Sequence, residues 1–494
     1  MLNEDGLKFF TEQLGTVIHP GRPVYKLNYL NIDAQNRRII ADWLPIYYKN
    51  IVENYHKINQ EATLSDLKGT LRNKPAVIVA PGPSLDDVIQ KIYKIKDDVI
   101  IIACDSVLQY LEANNIYPHY IVNAHCLPKL KNCFEGINTE KYTLITPTTC
   151  DKEVFEVWKG RLLFYNNFHT NMEFYDVCLP TLFPKMAQIP NAGSVAGTCV
   201  HVARIMSCNP IILCGVDFGF PDNKYKCRSY NRNGHGWTEI PVDHDKINNN
   251  LLVEHKGTKC WEEHLFYREA ILNIIQILPL VLVRGSQCGI LEHDLPCIDL
   301  SEKIDIDKIT EIVEKNTYEK LWKTSYIPSK VAIPMGELIA KGCHRKDIKM
   351  LDMGCGNGTT VNSLREKGFN CYGLDLTIAG VKGDKQYFVE SNILNMPYPD
   401  DYFDLTFSTD MLEHLPTEWV EKAIREIFRV TKKYTVHCIA TFVDANRGTL
   451  HKTVKPIPFW QDQFSKLNNK NIGFNLIDSS ELRKGKITEC QMNF

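Results

Sequence analysis

The sequence predicts an α/β protein in which two doubly wound, Rossmann-like domains follow one another in tandem. Short apolar runs alternate with helical segments along most of the chain, and they form two series separated by a more polar, helical stretch. Strands of a parallel sheet that helices cover on both faces are buried on both sides, so they are continuously apolar. At 494 residues the chain is also too long for one ordinary domain.

The two series define the expected domain boundaries. We predict a helical N-terminal extension over residues 1–72 and a first α/β domain over residues 73–305. A helical connector follows over residues 306–345, and a second α/β domain extends over residues 346–494. The extension is predicted to be helical because its apolar residues recur at helical spacing.

In the first domain, each apolar run is expected to form a parallel strand. The segments that contain these runs are PAVIVAPGPSL (75–85), in which a Pro/Gly turn follows the run, DVIIIACDS (98–106), YIVNAH (120–125), YTLITPTT (142–149), RLLFYNN (161–167) and NPIILCGVDFGF (209–220). The intervening helices are DDVIQKIYKIK (86–96), VLQYLEANNI (107–116) and VAGTCVHVARIMS (195–207). Residues 221–260 are a polar insertion after a buried strand, which is typical of a lid or of a solvated excursion.

In the second domain, a shorter series of apolar runs predicts another parallel sheet. The runs are IKMLDMGCG (348–356), NCYGLDL (370–376), QYFVESNIL (386–394), FDLTFSTDML (403–412) and YTVHCIAT (434–441). The last segment, residues 474–494, is expected to supply an antiparallel final hairpin.

Composition and charge limit the partners and the compartment. The net charge of −2 gives no electrostatic reason to expect a nucleic-acid partner. The most apolar stretch, residues 270–283, is interrupted by Pro279 and is too short for a membrane span, so a buried helix followed by a strand is expected. The chain has 17 cysteines but no CxxC pair, which favours reduced core cysteines in a cytoplasmic protein over a zinc site or disulfides.

A glycine-rich turn after the first strand of the second domain is the sharpest motif of the chain. In LDMGCGNGTT (351–360), Gly354, Gly356 and Gly358 alternate with other residues just before a helix. Glycines let a backbone approach a ligand closely, and the helix N-terminus offers free N–H groups. Asp375, which ends the next strand, is placed where the hydroxyls of a ribose would need an acceptor.

These residues resemble class I S-adenosylmethionine-dependent methyltransferases, and the resemblance covers residues 345–494. MPYPDDYFDLTFSTDMLEHLP (396–416) is similar to the strand and loop that follow in that family. Asn392 and Ile393 stand where the family places an acidic residue and an apolar neighbour against adenine. The resemblance implies S-adenosylmethionine as cofactor, held by Asp352, Gly354, Gly356, Asn357, Gly358, Asp375, Leu376, Asn392 and Ile393. The residues alone leave open a Rossmann-like domain that binds another nucleotide, or none.

Three residues are candidates for the general base that a hydroxyl acceptor of the methyl group would need. They are Asp410, His414 and His451, although His414 could also serve only to cap a helix. His451 lies in LHKTVKPIPFWQDQF (450–464), which is similar to a segment of methyltransferases that act in glycan biosynthesis.

The first domain has two glycine- and serine-rich helix entries, APGPSLDD (80–87) and NAGSVAGTCVHVA (191–203). Two helix N-termini at one edge of a sheet could bind the phosphates of a single nucleotide. Asp217 ends a strand in ILCGVDFGF, at the edge where open α/β sheets bind ligands.

These segments, over residues 73–300, resemble the domain shared by motility accessory factor glycosyltransferases and archaeal 6-hydroxymethylpterin pyrophosphokinase-like proteins, whose fold is related to that of sialyltransferases. VRGSQCGIL (283–291) is similar to the family's last strand and turn. The resemblance implies a nucleotide site formed by Gly82, Pro83, Ser84, Asp105, Asn123, Gly193, Ser194 and Asp217. The chain departs from the family at Ala80, where a glycine is usual, and at Asn123-Ala124-His125, where the third strand usually ends in an acid.

The favoured hypothesis is a bifunctional transferase, which methylates a glycan or small-molecule acceptor and transfers a sugar, for example a nonulosonic acid, from a CMP donor. His125 would be the base of the sugar transfer, unless it is merely hydrogen-bonded in the mouth of the sheet; His235 and His244 are secondary candidates. An ATP-dependent pterin or nucleotide pyrophosphokinase, which would need Mg²⁺, and a non-catalytic nucleotide-binding module are the alternatives. No further metal site is expected, and an oligomer is left open.

Overall fold

The computed structural model describes residues 29–169, 173–190, 193–231, 236–241, 252–277, 281–287, 289–324, 330–442 and 450–487. The chain divides into two compact units, Met1–Val313 and Glu314–Phe494. Each unit has its own β-sheet, as the two series of apolar runs predict.

The first unit is organised around a nine-stranded sheet. The strands of this unit are β1 (Ala62–Thr63), β2 (Ala76–Val79), β3 (Ile100–Cys104), β4 (Tyr120–Val122), β5 (Thr143–Pro147), β6 (Arg161–Phe168), β7 (Ala187–Pro190), β8 (Ile211–Cys214), β9 (Lys224–Asn231), β10 (Gly236–Pro241), β11 (Leu252–His255), β12 (Thr258–Trp261) and β13 (Leu282–Arg284). The sheet has the order β1-β6-β5-β4-β3-β2-β8-β13, with β7 paired to β6, and every pair is parallel. The central strands β2 and β8 are buried along their whole length, which explains their uninterrupted apolar sequences.

Helices cover both faces of this sheet. They are α1 (Tyr29–Gln60), α2 (Leu85–Ile95), α3 (Leu108–Ala113), α4 (Lys152–Val157), α5 (Leu179–Leu182), α6 (Val195–Ile205) and α7 (Glu262–Ile277). Helix α7 followed by β13 confirms the interpretation of residues 270–283 as a helix and then a strand. None of the helices in the described ranges is both long and apolar enough to cross a membrane.

The C-terminal half of α1 is built into the first unit rather than lying outside it. Ile51 and Ile58 are buried there. The buried Asn50 donates from Nδ2 to the carbonyl oxygens of Cys126 and Thr149, both at 2.9 Å. The helix is therefore attached to the segments that follow β4 and β5, and it belongs to the same core as the sheet.

The polar insertion after β8 contains two antiparallel pairs, β9 with β10 and β11 with β12. Strand β9 contacts the turn after β2, because the backbone N–H of Cys227 donates to the carbonyl oxygen of Pro81 at 2.8 Å. Part of the insertion, including His235 and His244, lies outside the described residues.

The second unit has a six-stranded sheet in which all pairs are parallel. Its strands are β14 (Lys349–Met353), β15 (Asn370–Asp375), β16 (Phe388–Glu390), β17 (Phe403–Thr409), β18 (Thr431–Ile439) and β19 (Gly473–Asp478), in the order β16-β15-β14-β17-β18-β19. The sheet and the accompanying helices confirm the predicted doubly wound α/β class.

The final strand differs from the prediction. β19 pairs with β18 in parallel, and α13 follows it directly, so the part of residues 474–494 that the structure describes, up to residue 487, forms no antiparallel hairpin. A parallel partner requires a crossover connection, which α12 supplies between β18 and β19.

Helices of the second unit follow the same alternation. They are α8 (Ile306–Trp322), within which the division between the units falls, α9 (Ala332–Gly342), α10 (Thr359–Glu366), α11 (Val420–Val430), α12 (Ile457–Leu467) and α13 (Ser479–Arg483). Helix α11 buries one apolar face, and its Phe428 packs edge-to-face on Phe464 of α12 with ring centroids 5.6 Å apart.

Replacing Asn50 with alanine tests the attachment of α1. We expect Asn50→Ala to lower the free energy of unfolding by about 1–3 kcal/mol, because two carbonyl oxygens would lose their donor inside the core. Asn59→Ala on the same helix is the control, since its exposed side chain only donates to the carbonyl oxygen of Tyr55. Urea denaturation would measure both, and equal stabilities of the two variants would contradict this role.

Candidate functional site

The candidate site of the second unit lies at the carboxyl edge of its sheet. Strand β14 is flanked by β15 and β17, and the three run parallel, so the turns that follow them are neighbours. The glycine turn follows β14, Asp375 ends β15, and Asp410 follows β17. This is the edge at which open α/β sheets bind their ligands.

The glycine turn is held in shape by the end of β15. The N–H groups of Gly354 and Cys355 both donate to the carbonyl oxygen of Leu374, at 2.8 and 3.1 Å. The N–H of Gly356 donates to Oδ2 of Asp375 at 2.8 Å. Gly356 has φ +57°, a backbone conformation that glycine adopts without strain.

Two acidic residues lie behind this turn. Asp352 is buried within β14, and its Oδ1 has no hydrogen-bond partner among the described residues. Burial, together with the charge of Asp375, raises the pKa of Asp352 well above its ordinary value. Burial raises the pKa of Asp375 to about 6, although the N–H of Gly356 partly offsets that effect.

The other predicted cofactor residues lie in the neighbouring turns. Asn357 accepts the N–H and the hydroxyl of Thr359 on its Oδ1, at 3.1 and 2.7 Å, and so closes the turn that leads into α10. The Oδ1 of Asn392 accepts the N–H of Leu394 at 2.9 Å, so this oxygen stabilises its own turn. Ile393, beside it, is buried.

The loop after β17 contacts the glycine turn directly. A Cβ added at Gly354 would lie 2.8 Å from Cβ of Met411, which shows how closely Met411 packs there. Asp410, the preceding residue, forms an ion pair with Arg483, with Nη2 and Oδ2 2.9 Å apart. The loop therefore lies beside the predicted cofactor turn, and Asp410 directly precedes its contact residue Met411.

Glu413, His414 and His451 form a compact group at the end of this loop, which we call the Glu413 cluster. The rings of His414 and His451 have centroids 4.7 Å apart. Glu413 is fully buried, and its Oε1 accepts the N–H of Ala440 at 3.1 Å. Burial, reinforced by the charge of Asp410, raises the pKa of Glu413 well above its ordinary value.

Sequence reasoning missed Glu413 and two residues of α8. Tyr318 places its hydroxyl 2.9 Å from Nδ1 of His414. The ring of Trp322 lies against Gly380 and near Gly356, since a Cβ built at Gly356 would be 3.7 Å from it. Helix α8 was predicted only as a connector, and no motif marks these two aromatic residues.

In the first unit, Asp217 joins the turns after β2 and β8. The N–H of Ser84 donates to Oδ2 of Asp217 at 2.8 Å, and the Ser84 hydroxyl donates to Oδ1. A Cβ at Gly82 would lie 2.6 Å from Oδ2 of Asp217, so only glycine fits there. Asp217 therefore stabilises the Gly82-Pro83-Ser84 turn, and burial raises its pKa to about 6.

Asp105, Asn123 and His125 follow the neighbouring strands β3 and β4. Asp105 is buried, and its Oδ2 lacks a hydrogen-bond partner within the described ranges. Burial raises the pKa of Asp105, and the charge of His125 opposes that shift. His125 is exposed, and its N–H donates to Oδ1 of the buried Asn123 at 2.6 Å.

The second helix entry of this unit also has the predicted cap. Ser194 precedes α6, and its hydroxyl accepts the N–H of Gly197 at 3.2 Å. Gly193 has φ +71°, and a Cβ there would lie 2.8 Å from the ring of Tyr267 on α7. The structure thus places a capped helix N-terminus at this edge.

Comparison with known families identifies a domain in each half of the chain. Residues 49–223 match the family described as 6-hydroxymethylpterin diphosphokinase MptE-like. Residues 351–439 match the family described as methyltransferase domain. These matches confirm the resemblances that the motifs of the two halves indicate.

Similar proteins match only parts of the chain. Norajmaline N-methyltransferase of Rauvolfia serpentina is 32% identical over 124 residues, which is 23% of this chain and 42% of that protein. An uncharacterized protein of Haemophilus influenzae is 29% identical over 160 residues, covering 27% of this chain and 63% of that protein. The chain thus spans less than two thirds of these relatives. A solved MAf glycosyltransferase of Magnetospirillum magneticum AMB-1 aligns with 62% of this chain at 17% sequence identity, with a TM-score of 0.34. The alignment covers 49% of that protein's chain.

Proposed function

We propose that this chain, which combines an MptE-like domain with a methyltransferase domain, is a two-domain transferase whose C-terminal domain methylates a small-molecule or glycan acceptor with S-adenosylmethionine. The observation that carries the proposal is the glycine turn after β14, which the carboxylate of Asp375 holds through the N–H of Gly356. In this reading, Asp375 also accepts hydroxyls of the cofactor's ribose, and the turn leaves room for the methionine part.

Methyl transfer requires little of the protein beyond holding the acceptor atom in line with the methyl carbon and the sulfonium sulfur. The loop after β17 packs on the glycine turn through Met411, so an acceptor bound over this loop lies next to the methyl group. Asp410, His414 and His451 are the groups on this side that could assist an acceptor hydroxyl.

Replacing Gly356 with valine tests the cofactor assignment. We expect Gly356→Val to abolish binding of S-adenosylmethionine, because its branched side chain would fill the space that the ligand needs. Gly368→Val is a matched control: Gly368 also has positive φ, and a Cβ there meets no atom within 4 Å. Titration calorimetry on both variants would decide, and unchanged affinity of Gly356→Val would contradict the assignment.

The pKa of Asp375 predicts a pH dependence of cofactor binding. The ionised carboxylate accepts the ribose hydroxyls, so affinity should be highest above the pKa of about 6 and fall as the pH decreases through it. Between pH 7 and pH 5 the dissociation constant should rise about tenfold. Asp375→Asn should weaken binding about tenfold or more at pH 7 and remove most of this dependence. If Asp375→Asn shows the same pH dependence as the wild type, then the dependence arises from another group, such as Asp352 or Glu390, and not from Asp375.

For the N-terminal domain we propose transfer of a sugar from a nucleotide donor, for example a CMP-activated nonulosonic acid. The support is His125, which is exposed at the carboxyl edge and interacts electrostatically with the buried Asp105. A histidine can deprotonate an acceptor hydroxyl without a metal ion. The absence of an acid at the end of β4, where the chain has Asn123-Ala124-His125, agrees with a reaction that does not depend on Mg²⁺.

The family match to residues 49–223 favours a second candidate, a pterin or nucleotide pyrophosphokinase. Release of AMP from ATP with Mg²⁺ and a hydroxymethylpterin would support this candidate. Release of CMP from a CMP-sugar without added metal would support the first. Binding of a nucleotide without either reaction would indicate a non-catalytic module.

Replacing His125 with alanine tests the sugar-transfer proposal. We expect His125→Ala to slow CMP release from CMP-N-acetylneuraminate about 100-fold, because the acceptor would lose its base, while CMP affinity stays unchanged. His293→Ala, an exposed histidine of the same unit, is the control. If His125→Ala turns over at the wild-type rate, then His125 only stabilises the end of β4.

A further inference from the structure

The Glu413 cluster has the donor atoms and the spacing of a metal site. Glu413, His414 and His451 each offer one ligand atom, and these atoms lie within 4.8 Å of one another. Glu413 is buried, whereas His414 and His451 are half-buried, so the group is accessible from one side. Two imidazoles and one carboxylate are the donor set of many catalytic zinc and non-haem iron sites, which keep open positions for a substrate.

Glu413 has a buried oxygen that the protein does not use. Its Oε1 accepts the N–H of Ala440, but Oε2 has no hydrogen-bond partner in the described part of the chain. A buried carboxylate oxygen without a partner costs free energy. A cation bound between Glu413 and the two histidines would give that oxygen a partner.

The hydrogen bonds of the histidines orient their rings for coordination. Nδ1 of His451 lies 2.9 Å from the carbonyl oxygen of Phe442, which can only accept, so Nδ1 carries the proton. The neutral ring then has its lone pair on Nε2. Nδ1 of His414 lies 2.9 Å from the hydroxyl of Tyr318, which can accept or donate. Where the hydroxyl accepts, the lone pair of His414 is likewise on Nε2. Such bonds from the second ring nitrogen are typical of metal-ligating histidines.

Backbone contacts hold the two parts of the cluster together. The N–H groups of Lys452 and Thr453 both donate to the carbonyl oxygen of Glu413, at 2.8 and 2.9 Å. Lys452 also forms an ion pair with Glu314 of α8. The backbone contacts of Lys452 and Thr453 therefore hold His451 next to Glu413.

We propose that Glu413, His414 and His451 bind a divalent transition-metal ion, of which Zn²⁺ is the first candidate, at the acceptor side of the methyltransferase domain. The mixed nitrogen and oxygen donors suit Zn²⁺, Fe²⁺, Co²⁺ or Ni²⁺ better than Mg²⁺ or Ca²⁺, which prefer oxygen ligands alone. The histidines then act as ligands, and no longer as the general bases that the sequence suggested.

The role of the ion rests on the proposed methyl transfer, whereas its binding does not. A bound divalent ion lowers the pKa of a coordinated acceptor hydroxyl, whose proton leaves to solvent water. The oxygen lone pair then forms the bond to the methyl carbon, while the carbon–sulfur bond breaks and its electron pair remains on sulfur. The products are the methyl ether, a proton and neutral S-adenosylhomocysteine.

The test is metal binding by the full chain after treatment with a chelator. Titration with Co²⁺ should give the visible absorption of a low-coordinate nitrogen- and oxygen-ligated ion at one equivalent, and Zn²⁺ should displace it. In His451→Ala and Glu413→Gln the dissociation constant for Zn²⁺ should rise about 100-fold, and in Tyr318→Phe about tenfold. Glu413→Gln keeps an oxygen for the N–H of Ala440, so it preserves the fold. His344→Ala, an exposed histidine of the same unit, should bind Zn²⁺ like the wild type.

Binding of S-adenosylmethionine, measured on the same samples, separates this inference from the proposed function. Variants that bind the cofactor normally but lose Zn²⁺ support the site. If the wild type binds neither Zn²⁺ nor Co²⁺ at about 100 µM, the inference is wrong, whether or not the protein binds S-adenosylmethionine. It is also wrong if Glu413→Gln and His451→Ala bind Zn²⁺ as the wild type does. A loss of methyl transfer in these variants, when the wild type itself binds no metal, would likewise contradict it.

Discussion

Both halves of this protein depend on one constraint, the parallel arrangement of every strand in the two large sheets. In a parallel sheet each strand enters from the same side, so the turns that leave the strands all meet at the carboxyl edge. Residues far apart in the chain thereby become neighbours without any long excursion of the backbone. The glycine turn, Asp375 and the loop after β17 are brought together in this way in the second unit, and Ser84, Asp105, His125 and Asp217 are at the corresponding edge of the first.

A buried carboxylate holds the turn after an inner strand in each unit. Asp217 accepts the N–H and the hydroxyl of Ser84, and Asp375 accepts the N–H of Gly356. Burial raises the pKa of both groups to about 6, because a charge in the interior loses its hydration. Backbone N–H groups partly compensate, since hydrogen bonds to a charged acceptor are stronger than neutral ones. Both turns are therefore held by a buried carboxylate whose pKa lies near 6.

The two edges differ in what they offer beyond the turn. In the second unit the loop after β17 adds Asp410 and the Glu413 cluster, and α8 supplies Tyr318 and Trp322, so the site combines the glycine turn with nitrogen and oxygen donors. In the first unit both oxygens of Asp217 are engaged by Ser84, so the proposed reaction relies on Asp105 and His125. The proposed methyl transfer thus has a more complete set of groups than the reaction proposed for the N-terminal domain.

Local sequence patterns were enough to predict most of the strands and helices and the glycine turn. Continuous apolar runs predicted the buried parallel strands, and alternating glycines predicted the turn before α10, because both signals lie within short segments. The tertiary structure decided what long-range packing brings together. Asn50 bonds to carbonyls near β4 and β5, Glu413 meets His451, and Tyr318 reaches His414 from a helix that appeared to be a connector. It also decided that β19 runs parallel to β18, where a hairpin was expected. Periodicity reports only which face of an element is buried; which side chains meet across the core depends on the register and on the crossover of elements distant in the chain.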